Sequence, residues 1–107
     1  MKTLHHPDRK DIELTSVLYA LSDPVRLVVV TSLCSKGDQP CGTIELPVAK
    51  STASHHFKVL RECGVIHVRQ DGTQRCMSLR REDLDSRFPG LLDAVLESAR
   101  TKPRRRK

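Results

Sequence analysis

Apolar and polar positions alternate along the chain in blocks separated by glycine, proline and short polar runs. DRKDIELTSVLYAL carries Ile12, Val17, Leu18 and Leu21 on one side at helical spacing, which predicts a first helix. SDPVRLVVVTSLCSKG is rich in β-branched residues, and propensity alone favours a strand there. Its flanks outweigh that preference: Asp23 is a good N-cap, Pro24 suits the first helical position and Gly37 supplies a stop. A helix from Pro24 to about Ser35, buried on most sides, is predicted. GDQPCG reads as a loop. TIELPVAK, interrupted by Pro47, has room for a helical turn or two. A longer helix then spans Lys50–Cys63 and ends at Gly64.

After Gly64 the period changes from helical to alternating. Val65, His67 and Arg69 fall on one side, and Ile66, Val68 and Gln70 on the other. Asp71-Gly72-Thr73 is a hairpin-turn signal, and QRCMSLR returns as the partner strand. Arg69 and Arg75 flank the turn. In REDLDSRFPGLLDAVLESAR, Pro89 fits the first turn of a last helix, with Leu91, Leu92, Val95, Leu96 and Ala99 as its stripe. A short helix, a tight turn, a second helix and a hairpin make a helix-turn-helix with a wing. The fold class expected is mainly α with a small β-hairpin.

Projected at roughly 100° per residue, Ala53, Phe57 and Leu60 form the buried stripe of the Lys50–Cys63 helix. His55 points away from it, beside Ser51 and Lys58, with Ser54 and Arg61 along one edge. His56 and Cys63 lie on the flank. The outer face is small, polar and cationic near a helix N-terminus, which suits phosphate oxygens and base edges. An ordinary solvated face accounts for the same pattern about equally well. The histidines by themselves leave metal binding, base catalysis and nucleic-acid contact open.

Composition narrows these options. A chain of 107 residues is most simply one domain, and with 3% aromatic residues its core must be aliphatic and modest. A small core of this kind gains from oligomerisation. The first residues lack an apolar signal core and no apolar run is long enough to span a bilayer, so a cytoplasmic protein is expected. The net charge is +6, and the tail TKPRRRK holds five of the positive charges, leaving a nearly neutral body. The organisation expected is a flexible arm over 1–10, one domain over 11–100 and a disordered basic tail over 101–107.

The candidate chemistry is sparse. Four cysteines and five histidines match no common zinc spacing, and His5 and His6 fall in the arm, so no metal and no cofactor is expected. Cys34 and Cys41 are candidates for thiol sensing, against the alternative of inert packing thiols. There is no nucleophile elbow, phosphate loop or pair of carboxylates in an evident cleft, so an enzyme is not expected. Three classes remain: a DNA-binding regulator, a winged-helix module that contacts protein, and a thiol- or metal-responsive sensor.

ALSDPVRL (Ala20–Leu27) followed by KSTASHHFKVLRECGVIHVRQDGTQRCMSL (Lys50–Leu79) resembles the ArsR/SmtB family of winged-helix transcriptional repressors. The resemblance implies a homodimer, joined through its first and last helices, that represses from a palindromic operator in double-stranded DNA until a signal releases it. Carried over position by position, it implies DNA contacts by Ser51, Thr52, Ser54, His55 and Lys58, with Lys50 at the helix start. Arg69 and Arg75 of the wing would touch the flanking backbone. It also implies that His56 packs inside and hydrogen-bonds to backbone. Two departures stand against metal sensing. Cys41 has Thr43 where metal-sensing members carry a second cysteine, and the last helix has no histidine.

Overall fold

The computed structural model describes residues 4–100. Among them, helices α1 (Leu14–Ala20) and α2 (Pro24–Lys36) precede a two-residue strand β1 (Gln39–Pro40). Helix α3 (Lys50–Glu62) leads into the hairpin of β2 (Ile66–Asp71) and β3 (Gln74–Leu79). Helices α4 (Arg81–Arg87) and α5 (Leu91–Arg100) close the chain. The architecture is a mainly helical winged helix with a small antiparallel sheet. Among the described residues no single helix is long and apolar enough to cross a membrane.

Helix α2 forms against its β-branched propensity because its ends are specified locally. The Asp23 carboxylate accepts the N–H groups of Val25 at 2.8 Å and Arg26 at 3.2 Å, and Pro24 occupies the first turn. Gly37, with φ of 81°, terminates it. The helix is buried on one face, through Arg26, Val29, Val30 and Leu33, and not on most sides as expected; Val28 is left exposed.

The expected first helix is broken. A 3-10 turn at Arg9–Asp11 is followed by extended backbone at Ile12, and α1 starts only at Leu14. The Ile12 carbonyl accepts the Arg87 guanidinium, and its side chain, 1% exposed, fills the space above Gly64. Long-range contacts at Ile12 therefore outweigh helix continuation.

Two further departures concern the sheet and the last helix. GDQPCG is not simply a loop: Gln39 pairs with Met77 and Pro40 with Cys76, which makes β3 the central strand in the order β1-β3-β2. The helical turn or two expected in TIELPVAK is replaced by a 3-10 turn that sits earlier, at Cys41–Thr43, and residues 44–49 run without regular structure into α3. The segment expected to hold one last helix holds two. Pro89 lies in the connection between α4 and α5, not in a first turn, and Gly90 there adopts φ of 84°.

The hairpin has the expected two-sided character. Ile66 pairs with Leu79 and Val68 with Met77, and Ile66, Val68 and Met77 are buried beneath it. Gly72 and Thr73 form a two-residue loop, and the positive φ of 65° at Gly72 is what a hairpin turn of that length demands. Leu60 of α3 joins Val65, Ile66, Met77, Leu84 and Leu92 in a core of side chains almost wholly removed from water. Each such aliphatic side chain contributes about 1.5–3 kcal/mol. This packing fixes α3 and the hairpin as one unit.

Candidate nucleic-acid interface

Helix α3 buries His56, Val59 and Leu60, while Ala53 and Phe57 are only half-buried. The buried face is thus rotated toward His56 relative to the stripe read from the sequence. The cause is a buried partner: Arg26 of α2, 5% exposed, reaches His56 Nδ1 at 3.2 Å. His56 packs inside as expected, but its partner is this guanidinium and not the backbone.

The opposite face of α3 is open. Lys50, Ser51, Thr52, Ser54, His55 and Lys58 are all exposed. His55 is the immediate neighbour of His56, their rings 6.0 Å apart and tilted by 54°. The N-cap is Ala49, which has no side-chain acceptor for the first N–H groups of the helix. Those groups and the positive end of the helix dipole face outward, an arrangement favourable to an anion.

A groove of about 150 Å³ runs between α3 and the hairpin, lined by Ser54, Lys58 and Arg61 on one side and Arg75 on the other. Three cations so converge on one channel. Arg61 was not among the residues singled out as DNA contacts, although its position three residues after Lys58 and seven after Ser54 puts all three along one helix edge. Arg69 does not join this cluster. It pairs with Cys76 across the ladder, on the ribbon face opposite to Arg75, and lies 3.7 Å from the Asp38 carboxylate. The two wing arginines that flank the turn in sequence thus serve different faces.

The thiols Cys34 and Cys41 occupy separate surfaces. Cys34 is exposed near the end of α2, with Arg81 Nη1 3.6 Å from its sulfur. Cys41 faces Arg75 and Cys76; burial raises its thiol pKa most, Arg75 pulls it down and Cys76 adds to the rise. Burial likewise raises Cys63, with Arg26 opposing and Glu62 adding. Both groups are held as neutral thiols, which are weak nucleophiles. Among the described residues no three His, Cys, Asp or Glu side chains come together as a set of metal ligands. The tail at 101–107 lies outside the described residues.

The arm expected to be flexible over 1–10 is docked from Leu4 onward. His6 stacks on His67 with ring centroids 4.2 Å apart, and Arg9 pairs with Asp83 at 2.6 Å. Nothing in the hydrophobic pattern signals this, because the contacts are polar and span most of the chain.

Comparison with known proteins gives a consistent result. The family model described as "Bacterial regulatory protein, arsR family" matches residues 23–68. The uncharacterized HTH-type transcriptional regulator YceK of Bacillus subtilis (strain 168) is 35% identical over 82 residues, 74% of this chain and 82% of that protein. The arsenical resistance operon repressor of Staphylococcus xylosus is 32% identical over 74 residues, 68% of this chain and 71% of that protein. Among solved structures, the transcriptional repressor BigR from Xylella fastidiosa matches with a TM-score of 0.58 at 28% identity, over 77% of this chain and 97% of that one. An ArsR family transcriptional regulator matches in fold with a TM-score of 0.62 at 21% identity, over 83% and 98% of the two chains.

Proposed function

The chain belongs to the ArsR family of DNA-binding transcriptional regulators, and from that premise we propose that it is a cytoplasmic homodimeric repressor of a palindromic operator, released by a signal of its own. The observation that carries this reading is the pairing of an open, polar α3 face with a cationic groove shared with the hairpin. Ser51, Thr52, Ser54 and His55 read base edges and phosphates from the major groove, with Lys50 at the helix entrance. Lys58 and Arg75 neutralise backbone phosphates beside them, and Arg69 reaches the flank.

The dimer reading rests on apolar surface. Leu14, Leu18 and Tyr19 of α1 are each about half exposed or more. Three large apolar side chains open to water on a seven-residue helix favour a second copy as their cover. A two-fold dimer would present two α3 helices to successive major grooves.

An electrophoretic shift with fragments of the source genome, including the region upstream of this gene, tests the proposal. Specific retardation by a fragment with an inverted repeat is expected, at an affinity that falls steeply with salt. Binding that is equal for all fragments, or absent at low salt, overturns it.

A further inference from the structure

Strand β2 lies at the edge of the sheet. Its outer N–H groups would ordinarily be left to water or to another chain. Here the Val68 N–H donates to Nε2 of His6 at 3.0 Å. Nδ1 of His6 faces the Leu4 carbonyl at 3.1 Å, so the ring proton belongs on Nδ1 and Nε2 keeps its lone pair. Two arginines hold the carbonyls on either side: Arg61 donates to His5 at 2.7 Å and Arg80 to Pro7 at 2.8 Å. Asp83 then binds both Arg9 and Arg80, at 2.6 and 2.9 Å. The segment from Leu4 to Arg9 is thus strapped across β2, the end of α3 and the start of α4.

We propose that this segment is a proton-released strap, closed on the β2 edge while His6 is neutral and lifted when His6 takes a second proton, which frees Arg61, a lining residue of the groove with Lys58 and Arg75, from the His5 carbonyl. A proton on Nε2 would set N–H against the Val68 N–H and cancel the bond that closes the edge. It would also place a cation against the His67 ring. The charged and titratable groups that act on His6 are His67 from β2, Arg61 from α3 and Arg80 from the start of α4. Burial lowers the His6 pKa most, His67 adds to this, the Leu4 carbonyl opposes it, and Arg61 and Arg80 lower it further. The docked arm therefore binds fewer protons than the released arm. Docking is fully favoured above the ordinary imidazole pKa and weakens as pH falls through it toward the lower docked value.

Amide exchange on the full chain, without DNA, reads the strap directly. Protection at Val68, normalised to intrinsic rates, is measured by NMR at about pH 7.5 and about pH 5 for wild type and His6→Ala. The core amides of Leu60 and Met77 report whether the fold persists. Wild type is expected to lose at least about tenfold of its Val68 protection on acidification, with His6→Ala low at both values. Equal wild-type protection at both pH values, or wild-type-like protection in His6→Ala at neutral pH, overturns the strap.

The consequence for Arg61 rests on the DNA-binding reading and has its own readout. His6→Ala should bind an operator fragment severalfold more tightly than wild type at neutral pH, and the two should converge at acid pH. Equal affinities at neutral pH overturn that consequence. A chain that binds no DNA overturns the functional reading, while the exchange data still decide the strap.

Discussion

The guanidinium of Arg26 and the imidazole of His56 meet at 3.2 Å in the interior, one on α2 and the other on α3. Arg26 also donates to the carbonyls of Ala20 at 2.7 Å and Tyr19 at 3.1 Å, the last residues of α1. A buried cation is stable there because it sits at the negative end of a helix and each of its three nitrogens has an acceptor. Three helices are tied at one point, and the angle at which α3 presents its outer face is set by that tie. His56→Ala strands one donor of Arg26 and removes packing, so a loss of about 1–3 kcal/mol is expected. Thermal or urea unfolding measures it, and an unchanged midpoint would show that the contact carries no stability.

The outward face should respond in the opposite way. His55→Ala and Lys58→Ala should change stability by about 0.5 kcal/mol or less, because both side chains are exposed. Operator affinity should fall by about 1–3 kcal/mol for a lost base contact. Removing Lys58 or Arg75 should also reduce the salt slope by about one unit. Deleting residues 101–107 should weaken binding to every sequence alike. Melting losses in His55→Ala with intact DNA affinity would reverse the roles assigned to the two histidines.

Gly64 is a position where no other residue fits. Its φ is 89°, and a Cβ there would stand 2.7 Å from Ile12 Cγ1. Gly64→Ala combines backbone strain of about 1–3 kcal/mol with a clash against a side chain that is itself 1% exposed. Adding Ile12→Ala should relieve the clash and leave the strain. The double variant should then be less unstable than the sum of the two single ones. Strict additivity in denaturant melts would refute the contact.

Replacing both Leu14 and Leu18 by Glu should leave the core untouched, since each is nearly half exposed. The expected product is a folded monomer at micromolar concentration whose operator affinity has collapsed. Light scattering and circular dichroism together check this. A wild-type chain that scatters as a monomer, with or without DNA, removes the basis of the proposed dimer.

What could be read from the sequence depended on neighbours within one helical turn or one hairpin. Asp23 and Pro24 start α2, Gly37 ends it, Gly64 ends α3 and Gly72 turns the hairpin. These signals act through local backbone conformation and capping, so they survive without knowledge of the fold. The exposed polar face of α3 was legible for the same reason, through a period of 3.6 residues.

Tertiary structure decided whatever depended on distant partners. The break before α1 follows from Ile12 meeting Gly64 and Arg87. The inclusion of Gln39 and Pro40 in the sheet follows from the open edge of β3. Arg26 gains its buried partner only when His56, thirty residues away, turns inward to meet it. Arg75 and Arg69 look equivalent beside the turn, and only the pleat of the ribbon sends one to Lys58 and the other to Asp38. The docked arm is the extreme case, since a hydrogen bond from Val68 to His6 joins residues 62 apart. No periodicity encodes such a pair, because its energy arises only when folding has brought both groups out of water and into one place.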